Sequence, residues 1–317
     1  MARGCNLRQI VGFIGLGNMG AAIAMRLLDG GFELRVYDIV GAKAAPLVAR
    51  GAKLMASPRS VADEAEIVFG CLPSLTACKH VTAGGSGVIE GSKVRVYVEM
   101  STLGLAGLLE VGAGLASAGI QLLDAPVSGG PHGAAAGTLS IIAAGPKAVL
   151  DRVSEVLNAI STKVIHVGEA PGQAQICKLV NNAISIASAA ISYEAVVVGV
   201  KAGIPASTLI DVINASTGRN STTTNRFPNS ILRRIFSANA PLAISLKDIH
   251  LYLQEAEKAG VPSFVGSNVA QLWQLAASEM GTELDSSSVI KLFERWAGVE
   301  VKGSDPAGPD GSKKGAP

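Results

Sequence analysis

Lys178 and Asn182 stand four residues apart in GQAQICKLVNN, residues 172–182, at the head of a long apolar run. On a helix that spacing puts an ammonium and a carboxamide on one face, where both can converge on a single small polar ligand. A lysine carries its proton in neutral water, so an amine that is to accept one needs a site favouring the neutral form, and burial supplies that. As a plain lysine at a helix start it would oppose the helix dipole. Earlier in the chain, LLDAPVSGG at residues 122–130 ends an apolar run at Asp124, stiffens the exit with Pro126, and leaves the backbone N–H groups of Ser128, Gly129 and Gly130 unshielded by side chains. Such a stretch suits an anion.

A second constellation is Gly15, Leu16, Gly17, Asn18, Met19 and Gly20, a GxGxxG that follows the apolar run at 10–15 and precedes a helical pattern at 21–28. The spacing alone is weak; its position between a strand and a helix gives it meaning. The first glycine permits a tight turn, the second lets a pyrophosphate approach the backbone, and the third lets helix and strand pack closely. The helix start offers unpaired N–H groups to phosphates. A turn at Asp29, Gly30 and Gly31 leads to a second strand at 33–37, closed by Asp38. A carboxylate there can accept both adenosine-ribose hydroxyls and repels a 2′-phosphate, which points to NAD, with NADP as the alternative cofactor because Lys43 is the nearest cation.

These groups need a scaffold. Further strand patterns at 67–72, 94–99, 121–123, 139–144 and 163–166 alternate with helix-like stretches, as in a doubly wound, mostly parallel sheet. After Gly168 the strands cease and alanine-rich helical segments take over. A long helix is expected from near Pro171 to 201–203, then helices at 206–215, 241–260, 265–279 and 286–295, with a polar loop at 216–230 carrying Arg219 and Arg226. The organisation expected is an α/β Rossmann domain over 1–168, a long interdomain helix opening an all-α substrate and dimerisation domain over 169–301, and a disordered tail over 302–317.

With 27 Lys+Arg against 25 Asp+Glu and a net charge of +2, the composition gives no basic stripe and argues against nucleic acid as partner. The apolar run at 183–200 is interrupted by Tyr193 and Glu194, which favours a buried helix over a membrane span. Four cysteines and four histidines show no ligand spacing, so no metal is expected and the thiols read as reduced. The N-terminus runs straight into a strand pattern with no separate signal segment, and the localisation expected is cytoplasmic.

With these residues in view, the chain resembles the β-hydroxyacid dehydrogenase family (3-hydroxyisobutyrate dehydrogenase-like). GFIGLGNMG looks like its cofactor loop, DAPVSGG with GTL at 137–139 like its substrate signature, GQAQICKLVNN like its catalytic helix start, and SLKDIHLYL at 245–253 like its C-terminal Lys-Asp motif. The resemblance implies an NAD(P)-dependent dehydrogenase or reductase acting on a small anionic hydroxy acid or aldehyde acid, assembled as a homodimer or homotetramer. It implies Lys178 as general acid/base, Asn182 beside the reacting hydroxyl, and Ser128, Gly129 and Gly130 on the substrate carboxylate. Thr102 would contact the nicotinamide end, Lys247 would approach the cofactor, and Leu72 and Pro73 would pass beside the adenosine ribose. Arg26, Gly104 and the Pro131-His132 pair depart from the family pattern and leave the substrate open among 3-hydroxyisobutyrate, tartronate semialdehyde, threonate and a sulfonated analogue. An imine-reducing relative, or a non-catalytic cofactor-binding module of the same fold, is the alternative, and the presence of Lys178 argues against both.

Overall fold

The computed structural model describes residues 9–237 and 240–303, so the expected tail lies, from residue 304 on, outside the described residues, as do residues 1–8. The chain divides into two compact units, Met1–Asn181 with Gln254–Ala259, and Asn182–Leu253 with Gly260–Pro317.

The first unit is built on β1 (Ile10–Ile14), β2 (Glu33–Tyr37), β3 (Lys53–Leu54), β4 (Ile67–Gly70), β5 (Val96–Glu99), β6 (Gln121–Asp124), β7 (Val127–Ser128), β8 (Leu139–Ala144) and β9 (Ser161–Gly168). Strands β3, β2, β1, β4, β5 and β6 lie side by side in that order, all parallel. Strand order reverses between β1 and β4, the switch point of a Rossmann sheet, and the crevice at the carboxyl ends there is where such folds bind dinucleotides. The runs IVGFI of β1 and IVFG of β4 are apolar throughout because both sheet faces are covered. β8 runs antiparallel to β6 and β7 and parallel to β9.

The covering helices are α1 (Asn18–Asp29), α2 (Ala45–Val48), α3 (Pro58–Glu64), α4 (Leu75–Ala83), α5 (Gly104–Ser117), α6 (Gly130–Ala136) and α7 (Lys147–Ile160). α1 buries Ile23, Ala24 and Leu27 against the sheet, the i, i+1, i+4 stripe of an amphipathic helix.

Helix α8 (Gln173–Lys201) is long and apolar enough, by length and composition, to cross a membrane. Part of its apolar surface serves protein cores: Ala174 and Leu179 are buried in the first unit, and Tyr193, Val196 and Val197 join the core of the second, while Ile184, Ile191 and Val198 are exposed. The second unit continues with α9 (Ala206–Ala215), α10 (Leu242–Lys258) as far as Leu253, α11 (Phe264–Met280) and α12 (Ile290–Ala297), and contains no strand among the described residues. The Rossmann domain followed by a helical C-terminal part, with a long helix at the junction, is the architecture expected. The segment 216–230 departs from expectation. Its composition reads as a loop, yet Thr222–Ile231 winds as a π-helix, because the Asn220 side chain caps the amides of Thr222 and Thr223 while Phe227 and Ile231 are buried.

Candidate active site

The loop from β1 to α1 has the geometry of a phosphate cradle. Gly15 sits at φ +95°, and a Cβ there would run into the Cys71 carbonyl; a Cβ on Gly20 would overlap the Gly15 carbonyl oxygen. Both positions are closed by the protein itself. Gly17 is different: a Cβ there meets nothing within 4 Å. It is exposed, forms the N-cap of α1, and as glycine lends no side-chain cap to the first N–H groups of the helix. Leu16 is buried while Asn18 and Met19 complete the turn.

Asp38, at the end of β2, is buried, and its two carboxylate oxygens take the Leu16 amide at 2.7 Å and the Val40 amide at 2.8 Å. The carboxylate is thus tied to the glycine loop, with the Lys43 ammonium 3.7 Å away. On the other side of the switch point, Leu72 packs against Gly15 and donates its amide to the Ser101 hydroxyl at 2.8 Å, followed by the exposed Pro73. Gly15, Leu16, Asp38, Leu72 and Ser101 are therefore linked through one end of the sheet, and Thr102 follows Ser101 directly.

At the neighbouring strand ends lie two buried carboxylates, Glu99 on β5 and Asp124 on β6, paired across the sheet. Burial pushes the Glu99 carboxyl up to about 7 and that of Asp124 to about 6, against the hydrogen bonds each accepts. Glu99 Oε1 takes the Ser101 amide at 2.8 Å. Asp124 takes the amides of Gly172 at 3.1 Å and Gln175 at 3.2 Å, and the Gln175 side-chain amide at 2.7 Å. Asp124 thus anchors the start of α8 rather than facing a ligand. Just past it, Ser128 ends β7, and Gly129 and Gly130 follow at φ +131° and +66°, conformations that suit glycine.

Lys178 lies one turn beyond Gln175 on α8 and is 8% exposed. Asn182, a further turn along, belongs to the second unit, where its side-chain amide donates to Asp248 Oδ2 at 2.6 Å, and the Lys247 ammonium lies 2.8 Å from Asp248 Oδ1. Asp248 is buried, and reading the sequence gave a role only to its neighbour Lys247; the signal was its place in the SLKDIHLYL motif. Arg226, read as a loop cation, is committed inside the second unit to the Ser286 hydroxyl at 2.5 Å and lies against Tyr193. Arg219 and His132 are exposed.

Residues 10–168 match the family model for the NAD binding domain of 6-phosphogluconate dehydrogenase. Residues 172–293 match that for the NAD-binding region of NADP-dependent 3-hydroxyisobutyrate dehydrogenase. The chain is 34% identical to 2-(hydroxymethyl)glutarate dehydrogenase of Eubacterium barkeri over 92% of its own length and 97% of that protein. The chain belongs to the β-hydroxyacid dehydrogenase family. Other members of the β-hydroxyacid dehydrogenase group match along nearly their whole length. 3-Sulfolactaldehyde reductase of Escherichia coli K12 is 29% identical over 92% of this chain and 98% of that one. The structure of Mycobacterium tuberculosis 3-hydroxyisobutyrate dehydrogenase with L-serine superposes with a TM-score of 0.80, at 29% identity, over 90% of this chain and 99% of that one. As a member of that family the chain is an oxidoreductase whose Rossmann domain binds NAD.

Proposed function

We propose that this chain is a cytoplasmic, NAD-preferring dehydrogenase of a small anionic 3-hydroxy acid, with Lys178 as its general acid/base. The observation that carries the reading is the placement of Lys178, a buried amine one helical turn from the Asp124 anchor at the carboxyl end of β6. The glycine loop, Asp38 and Ser101 belong to the same end of the same sheet.

The residues fit the cofactor. Gly17 leaves room for a pyrophosphate against the α1 amides, and Asp38 suits an unphosphorylated adenosine ribose because its charge would repel a 2′-phosphate. Leu72 and Pro73 would flank the adenosine side, while Thr102 and Lys247 would serve the nicotinamide side. When bound, NAD supplies the hydride acceptor. Ser128, Gly129 and Gly130 hold the substrate carboxylate through backbone N–H groups, which fixes the acid end. The substrate hydroxyl then meets Lys178, which takes its proton in oxidation and returns it from the ammonium in reduction. Asn182, its amide donor directed onto Asp248, holds that hydroxyl in line.

The substrate is sought among the acids that relatives are named for or hold, together with two polar analogues. A panel of 3-hydroxyisobutyrate, L-serine, 2-(hydroxymethyl)glutarate, 3-sulfolactaldehyde, threonate and tartronate semialdehyde, read by NADH absorbance, identifies it. Lys178→Ala should lower kcat on the best of these by roughly two to four powers of ten, with NADH binding by fluorescence titration retained. A variant that keeps kcat, or that loses NADH binding together with activity, removes Lys178 from the chemistry.

A further inference from the structure

Gln175 is completely buried, and its side chain makes four hydrogen bonds that use both ends of the amide. Its Oε1 accepts the backbone amides of Leu103 at 2.8 Å and Gly104 at 3.2 Å. Its Nε2 donates to the Ser101 carbonyl at 3.1 Å and to Asp124 Oδ1 at 2.7 Å. The backbone donors at Leu103 and Gly104 and the acceptor at Ser101 fix which end is oxygen, so a flipped amide would set like against like at all four contacts. Its own backbone amide adds a bond to Asp124 Oδ2 at 3.2 Å. One side chain therefore grips residues 101, 103 and 104, on both sides of Thr102, and locks them to the end of β6 and to the first turn of α8.

Lys178 follows Gln175 by three residues on that helix, so both lie on the same face. The same side chain thus limits both the rotation of the helix that presents the amine and the path of the loop that carries Thr102. Two neighbouring contacts reinforce the lock: Gly172, at φ +94°, packs so closely on Leu105 that a Cβ would overlap it, and the Leu105 amide donates to Glu255 Oε1 at 3.2 Å.

We propose that Gln175 is a positioning residue that holds the loop around Thr102 and the amine of Lys178 in register, so that the nicotinamide side and the proton-transfer side of the site are set by one amide. The inference rests on the reading of Lys178 and Thr102 given above. A misplacement of about an ångström in such a relay costs on the order of a hundredfold in rate.

The test uses the full chain, with Gln175→Met, which keeps the volume and removes all four side-chain bonds, and Gln175→Glu, which keeps an acceptor for Leu103 and Gly104 but loses the donors to Asp124 and to the Ser101 carbonyl. For Gln175→Met, folded by circular dichroism and assayed well below its melting temperature, kcat on the best panel substrate should fall at least about tenfold. The deuterium isotope effect on hydride transfer should rise, since the chemical step becomes slower. NADH should still bind, because Gly17 and Asp38 are untouched, yet with a smaller enhancement of nicotinamide fluorescence than wild type. This last readout needs no substrate. For Gln175→Glu, activity relative to wild type should recover in part as the pH is lowered, because a proton shared between Glu and Asp124 restores the donor between those two groups; a purely structural lesion gives no such recovery. Unchanged nicotinamide fluorescence and unchanged kcat in Gln175→Met, or, should that variant not fold, a Gln175→Glu ratio flat with pH, would overturn the proposal. If Lys178→Ala is inactive while both Gln175 variants behave as wild type, the positioning role falls and the proton-transfer reading stands. If Lys178→Ala keeps its activity while Gln175→Met shows the fluorescence change, the proton-transfer reading falls and the hold on the Thr102 loop stands.

Discussion

On the proposed reading, Asp38 would concentrate the choice of dinucleotide in a single charge. It is held rigid by the amides of Leu16 and Val40, and Lys43 offsets it only in part from 3.7 Å. Asp38→Asn keeps the shape and removes the repulsion of a 2′-phosphate, so kcat/KM with NADP should rise relative to NAD; wild type should favour NAD on any accepted substrate. A wild-type preference for NADP, measured as the ratio of the two specificity constants, would contradict the assignment. The placements of Asp38, Lys178 and the three loop glycines were legible in the sequence because they are local: a strand end, a helix face, a βα turn. Gln175 and Asp248 were not, because each acquires its role from partners far along the chain, Leu103 and Asp124 for the one and Asn182 for the other. Asp124 was visible as a strand-ending acid beside a candidate anion cradle, and only the packing of α8 onto it shows that its oxygens are already engaged.

The turn from β1 into α1 separates two kinds of glycine, and substitution should tell them apart. Gly20→Ala forces a methyl onto the Gly15 carbonyl and should lower the melting temperature by several degrees, consistent with overpacking that costs about 1–3 kcal/mol. Gly17→Ala meets open space and should melt close to wild type while weakening NADH binding in a fluorescence titration, since the methyl enters the room a pyrophosphate needs. Equal affinity in Gly17→Ala would mean that the cradle lies elsewhere. The longer strands, and the helices α1 and α8 to α12, could be read from their apolar patterns, whereas α6 (Gly130–Ala136) was not among the helices so read. β3 and β7 could not, since two-residue strands carry no period of their own and exist only through pairing with β2 and β8. The helical turn at Thr222–Ile231 escaped for the opposite reason: hydroxyl-rich composition and an internal Pro228 suggest a loop, and burial of Phe227 and Ile231 overrides both.

The stability of the molecule as a whole should carry the mark of Glu99 and Asp124. Burial raises both groups, to about 7 and about 6, so in the folded chain each holds its proton at pH values where the unfolded chain has released it. The folded state therefore binds more protons between about pH 4 and pH 7, and these two groups make the chain more stable as pH falls through that window, levelling off below it. The melting temperature should accordingly be higher near pH 5.5 than near pH 7.5, and Glu99→Gln should raise it at pH 7.5 and reduce the slope. A melting temperature that rises from pH 5.5 to 7.5 by the same amount in wild type and Glu99→Gln would refute this origin. The bonds that Asp124 receives from Gly172 and Gln175 have a further consequence for modularity. The two family models meet between residues 168 and 172, but a chain divided there would leave Asp124 without these donors, a buried carboxylate with nothing to offset its desolvation. The nucleotide-binding half is thus not an interchangeable cassette: its sheet is completed chemically by the helix that follows it, and a functional graft onto another partner would have to carry the opening turns of α8 along.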